Sequence, residues 1–174
     1  EVSLVEINPS EERDNAVTWR DYSLIESTFS DAPYRREMTW GDFDKRANRF
    51  GNLLLSRGIK KGAKIGILLM NCIEWLPLYF GILKAGCIAV PLNFRYSSEE
   101  IAYCLDLADV ETLVFGQTFI SRLEPIIDTL RARIHTFFFV GKEPPAFAES
   151  CGELAAFCSW EAPPVRLEPE DLAA

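Results

Sequence analysis

Residues Lys64 to Arg95, KIGILLMNCIEWLPLYFGILKAGCIAVPLNFR, leave few folds open to this chain. Lys64–Met70 is a nearly unbroken apolar run. Asn71-Cys72 interrupts it, Ile73 to Lys84 carries apolar residues at helical spacing, Ala85-Gly86 ends that helix, and Cys87–Leu92 is a second apolar run. Strands buried on both faces read as continuous apolar runs, which favours a parallel sheet. Parallel neighbours need a crossover, usually a helix, so this stretch reads as a β-α-β unit. Ligands on such sheets dock beyond the carboxyl ends of the strands, which places Asn71-Cys72 and Asn93-Phe94-Arg95 at the expected binding edge.

Around this unit the spacing predicts further elements. Thr39 caps a helix whose face is Phe43, Ala47, Phe50 and Leu54, with Asp42, Lys45, Arg46 and Arg49 on its other faces and Gly58 stopping it. Pro77 predicts a kink or a helix that starts later than Ile73. Ser97-Ser98-Glu99-Glu100 predicts a capping box and a helix from Ser98 to about Ala108. Thr112–Phe115 and Ile134–Val140 read as strands, with a helix from Thr118 or Phe119 to Leu130 between them, bent or late-starting at Pro125. Phe147–Cys158 reads as a helix. Ser159 to Ala174 is acidic and proline-rich and reads as a connecting segment. Near the N-terminus, Ala16–Arg20 and Arg36–Thr39 read as the strands of a hairpin, with helical turns over Ser23–Phe29 between them. The fold expected is α/β: a mainly parallel sheet of at least four strands, helices on both faces, and a small N-terminal β-hairpin.

Charge and composition exclude several function classes. At 174 residues with a net charge of −8, the chain lacks the clustered Lys and Arg that nucleic acid or an acidic membrane surface demands. Lys60-Lys61, Arg131 and Arg133 read as solvated. No apolar run approaches the ~20 residues of a membrane span, and the acidic start EVSLVEINPSEER has no secretory core; it lacks Met and reads as trimmed. Cys72, Cys87, Cys104, Cys151 and Cys158 are widely spaced and form no Cys-x-x-Cys pair, so reduced thiols in a cytoplasmic protein are expected.

Few side chains advertise chemistry. The glycines at 58, 62, 66, 81 and 86 carry no Gly-Lys-Ser/Thr and read as turn and helix-end residues rather than a phosphate cradle. A single histidine, His135, at a strand start and with no Gly-x-Ser-x-Gly elbow, supports no catalytic triad, and one His without clustered Cys supports no metal site. Phe94, Tyr96 and Trp75 suit either an apolar pocket or plain packing, the plainer role being favoured. Arg95 stands out. At the carboxyl edge its guanidinium suits a phosphate or carboxylate; the competing reading is a salt bridge to Glu99 or Glu100.

Two blocks then carry a family resemblance. MTWGDF is similar to the hydrophobic-Thr-Tyr-x-Glu-Leu block of the adenylate-forming (AMP-binding) enzymes. LKAGCIAVPLN is similar to their Leu-Lys-Ala-Gly-x-x-x-Val-Pro-hydrophobic block. The likeness runs from about Ala16 to Ala174, and Pro-Leu-Asn-x-Arg-x-x-x-Glu-Glu most resembles the acyl-CoA synthetases and long-chain fatty acid–CoA ligases. The resemblance implies a reaction in which a small-molecule carboxylic acid attacks the α-phosphate of ATP, with Mg²⁺ spreading the charge, and the thiol of CoA then takes the acyl group. It also implies that residues 1–174 are a partial N-terminal, acid- and ATP-binding domain of a larger enzyme. Residues 159–174 would be a linker leading to a phosphate-loop segment that is missing. The piece alone is then expected to be inactive, to bind no cofactor tightly and to self-associate through exposed apolar surface. No catalytic or metal-binding residue is carried over. Arg95 alone transfers, as a contact to a CoA phosphate. The rival expectation is a stand-alone, non-catalytic α/β module that binds a ligand or partner.

Overall fold

The computed structural model describes residues 1–7, 35–141 and 143–174. Its main body is a five-stranded, all-parallel sheet in the order β4-β3-β5-β6-β7. The strands are β3 (Lys64–Leu68), β4 (Ile88–Pro91), β5 (Thr112–Gly116), β6 (Thr136–Val140) and β7 (Glu149–Ser150). A separate antiparallel pair joins β1 (Val2–Ile7) to β2 (Arg35–Thr39).

Strand side chains alternate between two cores. Leu68, Leu113, Phe115, Phe137 and Phe139 point to one face, where α3 (Ser98–Leu107) supplies Ile101 and Leu105. Ile65, Ile67, Val114 and Phe138 point to the other. That second face is covered by α1 (Trp40–Ser56) with Phe50, Leu53 and Leu54, and by α2 (Trp75–Lys84) with Leu78 and Ile82. The short α6 (Cys151–Ala156) adds Cys151. Burial on both faces is why the strands read as continuous apolar runs. The expected α/β architecture, with helices on both faces, is the one observed.

Local signals resolve as the residues dictate. Thr39 Oγ1 accepts from Asp42 N at 3.1 Å and donates to its carboxylate at 2.7 Å. Ser97 and Glu100 form a complete capping box, with Ser97 N donating to Glu100 Oε2 at 2.8 Å. Helix α2 starts at Trp75 rather than Ile73, which leaves Pro77 in the first turn, where its missing N–H costs no helical bond. The helix expected after β5, bent or late-starting at Pro125, is a series of short turns. These are 3₁₀ turns at Gln117–Phe119 and Glu124–Ile126, with α4 (Ile120–Leu123) and α5 (Ile127–Leu130) between and after them. Pro125 lies in the second 3₁₀ turn.

Several expectations need correction. β2 pairs with Val2–Ile7, a strand not expected from the sequence; the expected strand Ala16–Arg20 and the turns over Ser23–Phe29 lie outside the described residues. Glu6, in what read only as an acidic start, has its carboxylate buried against the Arg36 guanidinium at 2.9 Å. The stretch read as a helix over 147–158 opens with β7, which pairs in parallel with β6, before α6 begins. Gly66 and Gly81 are not turn residues. A Cβ on Gly66 would meet Leu105 and Leu113 side chains at 3.0 Å, and one on Gly81 would meet the Ala47 carbonyl at 2.7 Å. They let α3 approach β3, and α1 approach α2.

Residues 159–174 are packed rather than free. Asn52 Nδ2 donates to the Ser159 and Glu161 carbonyls, and Asn48 Nδ2 to Trp160 O, each at 2.9 Å. Pro163 lies on Gly51 and Val165 on Gly86, whose φ of +71° suits glycine. Lys61, expected to be solvated, donates to Arg166 O at 3.0 Å and pairs with Asp171 at 2.6 Å. Ala173 O finally accepts from Ala89 N on the outer edge of β4 at 2.9 Å.

Candidate functional site

The chain leaves β3 toward α2 on one face of the sheet and leaves neighbouring β5 toward residues 117–130 on the other. Adjacent strands whose connections diverge open a crevice at their carboxyl ends, the usual place for a ligand in an α/β sheet. Cys72, Phe94, Arg95 and Tyr96 follow β3 and β4 at this end.

Arg95 is exposed and makes no ion pair among the described residues. Glu100, its proposed competitor, is engaged with the Ser97 N–H, which holds the carboxyl below its ordinary value. The Arg95 guanidinium lies over the Phe94 ring at 5.4 Å, and its backbone N–H donates to Asn93 Oδ1 at 2.9 Å. A second arginine builds the loop: Arg122 Nη1 donates to Phe94 O at 2.6 Å and Tyr96 O at 3.1 Å, with its guanidinium 5.6 Å from the Phe119 ring. Two carbonyls flanking Arg95 are thus gripped by one cation, which leaves the Arg95 head free to meet an anion. Sequence reading passed over Arg122. Its signal was a lone cation inside the apolar run FISRL.

The aromatic candidates separate. Phe94 and Tyr96 pack beside Cys72 on the core that includes α3. Trp75 belongs to the opposite core and stacks on Tyr79 at 5.4 Å between ring centroids, so the three line no common pocket. The neighbouring Cys104 thiol pushes the Tyr96 hydroxyl up from its ordinary value. Burial pushes up the thiols at this end of the molecule and beyond: Cys72 strongly, with the Glu74 carboxylate adding to it, Cys151 to about 12 and Cys87 to about 11. Such thiols are poor nucleophiles. His135 is exposed just before β6, its backbone N–H donating to Glu111 O at 3.1 Å.

Beneath the site lies a buried ion network that sequence reading also missed. Arg36, 8% exposed, bonds Glu6 in the hairpin and Glu74 at the start of α2. It ties the small sheet to the large one.

Comparison with known proteins defines the class. The sequence pattern of the AMP-binding enzyme family matches residues 14–174, and this chain belongs to that family. Within it the acyl-CoA ligases are similar to it. A medium/long-chain-fatty-acid–CoA/3-oxocholest-4-en-26-oate–CoA ligase of Mycolicibacterium smegmatis is 35% identical over 91 residues, 52% of this chain and 16% of that protein. A crotonobetaine/carnitine–CoA ligase of Salmonella typhimurium is 32% identical over 111 residues, 64% of this chain and 22% of its own length. Among solved structures, the anthranilate CoA ligase AuaEII in complex with anthranoyl-AMP superposes with a TM-score of 0.74 at 28% identity, over 78% of this chain and 26% of that one. The matched stretches thus cover only 16% to 26% of these proteins.

Proposed function

We propose that this chain is the N-terminal portion of an ATP-dependent acyl-CoA synthetase, the scaffold half of its acid- and ATP-binding domain. The observation that carries the reading is the family match over 14–174, together with a sheet that superposes on a ligase holding an acyl-adenylate. A carboxylic acid and ATP give an acyl-adenylate and pyrophosphate; the CoA thiol then attacks the acyl carbon and AMP leaves. Such transfers depend on positioning and electrostatics. The residues of this chain serve that end by holding one wall of the crevice rigid.

Arg95 is the contact we assign to a CoA phosphate, with Arg122 fixing its loop. On this reading the 174 residues alone form no acyl-adenylate; that they cover 26% of the superposed ligase chain supports it. Residues 159–174 lead toward the remainder of the domain, strapped to α1 on the way. Exposed Trp40, Leu76 and Phe80 on the α1–α2 side are the apolar surface through which the piece self-associates. Its cysteines are all unpaired, which suits the cytoplasm.

The test is ATP/pyrophosphate exchange with a panel of fatty and aryl acids, on this chain and on the product of its uninterrupted reading frame. Exchange only in the longer protein is expected, and the responding acid names the substrate class. In that protein Arg95→Ala raises the KM for CoA by about tenfold and leaves that for ATP unchanged. Exchange by the 174 residues would disprove their inactivity. None in either protein would remove the ligase reading, and unchanged CoA kinetics would remove Arg95.

A further inference from the structure

Away from the carboxyl edge, α1 presents a cationic stripe that the reaction does not use. Asp42, Lys45, Arg46 and Arg49 recur at spacings of three and four, so they share one side of the helix. With Trp160 they line a cavity of about 340 Å³, within the usual size range of small-ligand sites. Its outer wall is fixed: Asn48 Nδ2 holds the Trp160 carbonyl at 2.9 Å, and Lys45 Nζ sits 5.4 Å from the indole centroid.

The charges in this cavity are unbalanced. Lys45, Arg46 and Arg49 have no carboxylate partner among the described residues. Asp42, the one acid in the wall, takes the Thr39 hydroxyl and so serves the helix cap. Several other surface cations are matched: Arg57 pairs with Glu149, Lys84 with Asp44, and Arg133 with Asp106 and Asp109. Within the stripe, Arg49 Nε is buried and has no hydrogen-bond partner among the described residues. A covered donor left unmade is costly, and an arginine edge presents Nε and a terminal nitrogen as a fork for two oxygens of one anion. Clustered cations, a missing acceptor and a concave wall therefore coincide in a chain whose net charge is −8.

We infer that the Lys45–Arg46–Arg49–Trp160 cavity binds a compact polyphosphate group, a site separate from the crevice at the carboxyl edge. The concavity favours a small phosphorylated ligand over an extended acidic segment, which would lie along the stripe without entering. A small rotation of the Arg49 side chain brings Nε onto a phosphate oxygen, Arg46 and Lys45 neutralise the remaining charge, and Trp160 closes the side.

The probe is inorganic tripolyphosphate, titrated calorimetrically into the 174-residue chain at low and at physiological salt. One saturable site that weakens with salt is expected. Arg49→Gln weakens it by at least about tenfold and Arg46→Gln several-fold, while Arg131→Gln at an exposed helix end leaves it unchanged. Arg49→Lys, which keeps the charge but not the fork, does not restore it. Arg46 is exposed, so its variant still decides the matter if Arg49→Gln fails to fold. No saturable binding overturns the inference. So does equal weakening by Arg131→Gln, loss on Arg95→Ala instead, or binding of a polyglutamate peptide in place of tripolyphosphate.

Discussion

Arg36 ties two parts of the fold together through charge rather than apolar contact. Its guanidinium is buried between the carboxylates of Glu6 and Glu74, which come from β1 and from the residue preceding α2. A buried network of this kind adds little over a well-packed apolar substitute, but breaking it from one side leaves charges without a counter-ion. Arg36→Met is expected to cost about 3–5 kcal/mol in urea unfolding, far more than the median surface ion pair. Replacing all three residues with apolar ones should recover most of the loss. Neither partner of Arg36 was legible beforehand. Glu6 read as part of an acidic N-terminal start, and only the pairing of β1 with β2 brings it within 2.9 Å of the guanidinium. Arg95 differs, because its place at a strand end was readable from the β-α-β pattern alone. What its sequence could not say was that Arg122 would hold the loop from 26 to 28 positions away.

Helices α1 and α2 meet through small residues. The Gly81 Cα faces the Ala47 carbonyl so closely that a Cβ would stand 2.7 Å from that oxygen and 3.0 Å from Phe50 Cδ1. The obstacle is backbone, which has little room to give. Gly81→Ala is expected to destabilise the fold by about 1–3 kcal/mol despite alanine's better helix propensity, read as a lower urea midpoint with an unchanged slope. At this level the sequence was most legible where one signal acts locally. The Thr39 cap, the Ser97–Glu100 capping box and the α1 stripe of Ala47, Phe50 and Leu54 needed no distant partner. It was least legible in β7, two residues long, which is a strand only because β6 lies beside it. The helix expected after β5 is interrupted around Pro125, as that proline foretold, but breaks into more and shorter pieces than one bend.

Across the whole molecule, residues 159–174 run back over α1 and reach the β4 edge, where Ala173 O accepts from Ala89 N. The described hold on 159–161 is a pair of asparagines from one helix, so the segment should release without unfolding the sheet. In an Asn48→Ala/Asn52→Ala variant, hydrogen exchange across 159–161 is expected to rise sharply while β3, β5 and β6 stay protected. Equal loss of protection in the sheet would show instead that the segment is part of the core. Release would also open the Trp160 wall of the cationic cavity, which links this segment to polyphosphate binding.

The sequence alone determined the parallel α/β core. Continuous apolar runs, caps and glycines are local or periodic signals, and burial on both faces of a sheet leaves such a strong imprint that strand identity follows. It also determined the family, through two blocks whose residues are written in order along the chain. Only the tertiary structure decided which strand partners β2, which carboxylate a given arginine meets, and that a proline-rich tail is strapped to a helix. Those contacts join residues from about 30 to 112 positions apart. Single side chains carry no mark of so distant a partner, and a charged residue reads as solvated until the fold places its counter-ion beside it.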